Sequence, residues 1–166
     1  LRDAYGRQQR IQRDAAETEA CPVILLKDVY HLVTMNDDGD RLSGVDVLIE
    51  DNCISMIEDS IHPPHGSRVI DCSSMLVLPG LVNLHHHFYQ TLQRNVPPAQ
   101  NQKLFDWLAT LYEIWEGLSV DAVRASTRLA CSELLLTGCT MASDQMYIFP
   151  SGVHEELIDV EIAAAR

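Results

Sequence analysis

From Leu81 onward, short apolar stretches alternate with long helical ones, and this order restricts the fold more than any other feature of the chain. "LVNL" reads as a short strand with both faces buried. "RNVPPAQNQ" is a long loop. "KLFDWLATLYEIWEGL" places Leu104, Trp107, Leu108, Leu111, Ile114 and Trp115 at helical spacing. "SVDAVRASTRLACSELLLTG" predicts a second helix, with Ser119 as N-cap and Gly138 as C-terminal stop. "CTMASD" is another short strand, "QMYIFPSG" a loop, and "VHEELIDVEIAAAR" the start of a third helix. Strand, helices, strand, helix is a βαβα order, which implies a parallel sheet or barrel. Two such units cannot close a barrel.

Upstream of Pro79-Gly80 the texture is different. "VILLKDVYHLVTM" is rich in Val, Ile and Leu, and "NDDGDRLSG" is a turn cluster. "VDVLIE" alternates, with Val45, Val47 and Ile49 on one face. "DN" is a tight turn before "CISMIE", so the pair predicts a β-hairpin. "RVIDC" and "MLVLP" are two further short strands. Val23 to Pro79 is therefore expected to form a small antiparallel sheet. Residues 1–21 are polar and charge-balanced, with four arginines against four acids, and are expected to be a disordered extension. The domain boundaries so predicted are 1–21, 22–79 and 80–166.

Composition excludes several roles. A formal net charge of -12 gives no basic face for a phosphate backbone or an anionic membrane. The five cysteines are odd in number and none are spaced C-x-x-C, which argues against a disulfide framework and for a cytoplasmic location. No apolar run is long enough to span a bilayer. The chain starts on Leu1 and stops in "DVEIAAAR", a helix with no cap, so it reads as the N-terminal part of a longer protein. The exposed apolar edges of a half barrel would make such a piece prone to self-association, so a homo-oligomer is one expectation.

The chemistry lies in "LVLPGLVNLHHHFYQ", where three histidines end a strand. Successive side chains on a strand point to opposite sides, so His85 and His87 share one side and His86 faces the other. Two imidazoles placed so can reach one ion at roughly 2.0–2.1 Å. The alternative is a polar strand end with no metal. The C-terminal ends of strands in βα architectures are where ligands and catalytic groups gather, which favours the metal.

"VLPGLVNLHHH" resembles the start of the barrel in the amidohydrolase superfamily. Those enzymes carry P-G-[LF]-[IV]-[DN]-x-H-x-H after a small β-sandwich. Pro79, Gly80, Leu81, Val82, Asn83, His85 and His87 match position by position. Asn83 is common in the branch containing cytosine, guanine and triazine deaminases. "HHHFYQTLQR", "LFDWLATLYEIW" and "SDQMYIFPSG" are similar to the group of 8-oxoguanine deaminase-like and hydroxyatrazine-type aminohydrolases. The resemblance covers about Val23 to Arg166.

The resemblance implies an α/β fold, the N-terminal part of a (β/α)8 TIM-like barrel preceded by a small β-sandwich, with the barrel not closed. It implies that His85 and His87 ligate one divalent ion, zinc in most members and iron in some. The ion would bring water toward deprotonation near neutral pH for attack on the ring carbon bearing an amino group, with ammonia leaving. The substrate would be a small amino-substituted purine, pyrimidine or triazine ring. The family's remaining ligands and proton-transfer residues lie on later strands. Only His154 follows His87, at a helix start, so the 166-residue chain by itself is expected to be inactive.

Gln90 stands where guanine deaminase-like relatives contact the purine, and an amide can both donate and accept. Its alternative is a loop glutamine facing water. Arg94 could meet a substrate carbonyl with its fork of donors, or form a surface salt bridge. Tyr89 could line the pocket or pack beneath it. Trp107 and Trp115 share a helix face, read mainly as packing. Where relatives often carry Asp-His-His, this chain has Asp144, Gln145 and Met146. Asp144 could accept a bond from a ligand histidine or cap the next loop. Two other readings stand beside the deaminase: a non-catalytic truncated product, and a chlorohydrolase or cyclic-amide hydrolase of the same fold.

Overall fold

A computed structural model describes residues 22–166, and the extension expected over 1–21 lies outside the described residues. The chain divides into two compact units, one ending at Pro79 and the other beginning at Gly80.

The first unit is built from β1 (Ile24–Val29), β2 (His31–Val33), β3 (Arg41–Leu42), β4 (Val45–Glu50), β5 (Cys53–Glu58), β6 (Arg68–Asp71) and β7 (Leu76–Val77). They form a four-stranded sheet ordered β5-β4-β1-β6 and a three-stranded sheet ordered β3-β2-β7. The β4–β5 hairpin turns at Asp51 and Asn52, both at positive φ, the geometry that matches the twist of a two-residue hairpin. The antiparallel expectation is corrected here, because β1 pairs β6 and β2 pairs β7 in parallel. β1 and β2 are consecutive yet belong to different sheets, and the later strands return alongside each in the same direction. Alternation along β4 puts Val45 and Val47 against Val29, Leu32 and Cys72, while Leu48 packs with Leu25 and Ile61.

Asp46 holds this unit together. It is fully buried and accepts from Lys27 Nζ at 2.5 Å and from the N–H groups of Asp28 and Ile61 at 2.7 Å each. Burial pushes its pKa up, but the bonds from Asp28, Lys27 and Ile61 outweigh burial and leave it below its ordinary 3.8. Asp28 itself sits at φ 54, where the β1–β4 register shifts between Leu26 and Val29.

The second unit contains β8 (Leu81–His86), α1 (Leu104–Trp115), α2 (Val120–Leu136), β9 (Cys139–Asp144) and α3 (His154–Ala165). β8 and β9 pair in parallel, from Leu81 opposite Cys139 to His86 opposite Asp144. Ser119 Oγ caps α2 by accepting from the N–H of Ala122 at 3.2 Å, and Gly138 leaves the helix at φ 83. The core gathers Tyr89, Leu111, Trp115, Leu118, Val123, Ile148 and Leu157. Phe88–Gln93 is a 3₁₀ segment, and within the expected loop "RNVPPAQNQ" a second 3₁₀ turn covers Pro97–Ala99.

The expectation that β8 is buried on both faces does not hold. Leu81, Val82 and Leu84 are each more than half exposed, since β9 is the strand's only neighbour among the described residues. Among the described residues, no helix is long and apolar enough to cross a membrane. The four cysteines among them are unpaired.

Candidate metal centre

The approach to the histidines is set by backbone chemistry. Gly80 lies against β9: a Cβ there would stand 2.1 Å from Thr140 Oγ1 and 2.7 Å from Thr140 Cβ. Only a hydrogen fits. Three residues on, Asn83 Oδ1 accepts from the N–H of His85 at 3.0 Å, where the pairing with β9 shifts register between Asn83 and His86.

Ring contacts then divide the run as pleating requires. The His85 and His87 rings lie 5.2 Å apart at 89°, whereas His86 meets Phe88 at 5.0 Å. Two imidazoles bound to one zinc through bonds of about 2.1 Å at near-tetrahedral angles have ring centroids about 5 Å apart. His85 and His87 fit that spacing.

His87 Nδ1 lies 2.9 Å from the carbonyl oxygen of Gln145. Donation to that carbonyl puts the proton on Nδ1 and leaves the Nε2 lone pair for a metal. The acceptor is a main-chain group, one residue past the Asp144 considered from sequence. Asp144 instead accepts from the N–H of Phe88 through Oδ1 at 2.5 Å, fixing the first residue of the 3₁₀ segment. Its Oδ2 is buried and has no hydrogen-bond partner among the described residues. The carboxyl of Glu161 lies beside it. Burial first, then the nearby charge of Asp144, raise the Glu161 pKa to about 7.

His85, His86, His87, Gln90, Arg94, Leu111 and Trp115 line one cleft of about 390 Å³. Gln90 Nε2 donates to the hydroxyls of Tyr89 at 3.1 Å and Tyr147 at 3.2 Å. Tyr89 is 1 % exposed and packs beneath the cleft, and burial raises its pKa so that the phenol stays protonated. Arg94 lines the cleft with its guanidinium gripped by both carboxylate oxygens of Glu133, one bond measuring 2.8 Å. Trp107 and Trp115 meet at 5.8 Å, and Trp115 is fully buried. Burial lowers the His86 pKa, against the opposing pull of Asp144.

Among the described residues, no group of three or more His, Cys, Asp or Glu side chains is arranged to hold a metal. His85 and His87 have the spacing that two ligands of one ion require. His31 bonds to Ser43 in the first unit. The Gln145 carbonyl and Tyr147 are not foreseeable from residue pattern. A main-chain acceptor leaves no trace in residue identity, and a lone Tyr in a loop has no periodic signal.

Comparison with known proteins puts this geometry in context. The amidohydrolase family model matches residues 76–154. An 8-oxoguanine deaminase from Pseudomonas aeruginosa is 54% identical over 91 residues, covering 55% of this chain and 20% of that protein. A hydroxydechloroatrazine ethylaminohydrolase from Pseudomonas sp. (strain ADP) is 31% identical over 148 residues, covering 82% of this chain and 31% of its own. The atrazine chlorohydrolase TrzN from Arthrobacter aurescens TC1, solved with zinc, superposes with a TM-score of 0.79 at 30% identity, over 86% of this chain and 33% of that one. The chain thus spans between a fifth and a third of the length of these proteins.

Proposed function

Through residues 76–154 the chain belongs to the amidohydrolase family, and from that premise we propose that it carries the first metal-binding strand of an enzyme that hydrolytically deaminates an amino-substituted heterocycle. The observation that carries this reading is the His85–His87 pair, converging at 5.2 Å over the cleft with His87 Nδ1 already satisfied by Gln145. These two imidazoles would hold one divalent ion. Imidazole ligands suit zinc, and the TrzN structure was solved with zinc. When bound, the ion supplies hydroxide at neutral pH.

The chain's own residues bind and orient the substrate. Leu111 and Trp115 give the cleft an apolar floor suited to a planar ring. The Gln90 amide, anchored by two phenol hydroxyls, meets the polar edge of that ring. Arg94, held by Glu133, forms a charged wall toward a ring carbonyl. The 54% identity to an 8-oxoguanine deaminase supports an oxidised purine as substrate. Catalytic zinc ordinarily has three protein ligands and the proposed pair supplies two, so the activity proposed here is that of the full-length protein.

The test is ammonia release by the full-length protein from 8-oxoguanine, guanine, isocytosine and cytosine, with chloride release from a chlorotriazine measured in parallel. Ammonia from 8-oxoguanine is the expected result. Chloride alone would assign the chlorohydrolase reaction, and neither product would overturn the reading.

A further inference from the structure

Tyr147 lies in the loop after β9, and nothing about the metal pair requires it to be aromatic. Its ring meets His87 edge-to-face, with centroids 5.2 Å apart at 90°. The same ring packs on Tyr89 at 5.7 Å and on the fully buried Trp115 at 6.2 Å. Its hydroxyl accepts from Gln90 Nε2 at 3.2 Å. One side chain therefore touches a proposed metal ligand through its ring and a proposed substrate contact through its hydroxyl.

We infer that Tyr147 is a positioning residue for His87: its ring bars the imidazole from swinging off the orientation that the Gln145 carbonyl selects. The inference rests on the assignment of His87 as a metal ligand. A single hydrogen bond at Nδ1 fixes the tautomer but leaves the ring free to pivot about that bond. An aromatic ring set at right angles to the imidazole, itself wedged against Tyr89 and Trp115, removes the pivot. Gln145 and Tyr147 are two residues apart, so one short loop delivers both restraints. Groups that orient a ligand histidine in this way are commonly worth ten-fold or more in metal affinity.

Zinc affinity of the full-length protein, measured by chelator competition, tests the assignment on Tyr147→Leu, Tyr147→Phe and His87→Ala. Tyr147 is 40% exposed, so leucine there is tolerated without opening the core. Tyr147→Leu should weaken zinc binding about ten-fold. Tyr147→Phe keeps the ring and loses the hydroxyl's bonds to Gln90 and Tyr89, so it should bind zinc as the wild type does. With cobalt in place of zinc, the visible spectrum should shift in Tyr147→Leu and not in Tyr147→Phe. Wild-type affinity in Tyr147→Leu, or equal loss in both variants, would overturn the inference while leaving the metal site intact. Equal zinc affinity of wild type and His87→Ala would instead remove the metal-site reading beneath it.

Discussion

Replacing Glu161 with glutamine should stabilise the protein at pH 8 and leave it nearly unchanged at pH 5. Asp144 Oδ2 is buried without a donor, and the Glu161 carboxyl beside it can supply one only when protonated. Burial and the Asp144 charge raise Glu161 from its ordinary 4.5 to about 7, which corresponds to about 3 kcal/mol against the ionised form. The folded state therefore binds more protons than the unfolded state between those two values. Stability should fall as pH rises through that window and level off above about pH 7. Glutamine donates to Asp144 at every pH, so the variant loses this slope. Urea unfolding of both proteins at pH 5, 6, 7 and 8 measures the difference directly. The gap should grow from near zero to about 3 kcal/mol in favour of Glu161→Gln. A gap that does not change with pH, or one that favours the wild type at pH 8, would refute the shared-proton account.

Two further perturbations test the frame that presents the site. Gly80→Ala drives a methyl into Thr140 and should cost about 1–3 kcal/mol by thermal melting, with Thr140→Gly restoring part of the loss. Asp46→Ala strands two N–H groups and the Lys27 ammonium, and should cost about 3 kcal/mol at pH 7. Because the folded pKa of Asp46 lies below 3.8, that cost should shrink as pH falls below this value, a trend that acid titration of the two proteins would show.

The parts legible in the sequence were those fixed by short-range chemistry. Periodicity located α1 and α2, and the Ser119 cap and Gly138 stop fell where their side chains predict. The β4–β5 hairpin followed from Asp51-Asn52 between two alternating runs. The parallel partners of β1 and β2 were not legible, because β6 and β7 arrive from more than 40 residues away and strand direction is not written in alternation. Burial of β8 was misjudged for a related reason: an apolar strand is buried only where something packs on each face, and Leu81, Val82 and Leu84 have open faces here. The pairing of His85 with His87 was readable from the pleat, since it needs only a period of two. The restraints on His87 were not, because they come from a carbonyl and a ring 58 and 60 residues further along the chain.

Metal content of the full-length protein tests the central claim most directly. After purification with zinc and removal of loosely bound ions, elemental analysis should find one tightly bound ion per chain in the wild type. His85→Ala combined with His87→Ala should abolish it, and His86→Ala, whose ring packs on Phe88 and not on the His85–His87 pair, should retain most of it. Undiminished metal in the double variant, or equal loss from His86→Ala alone, would contradict the account.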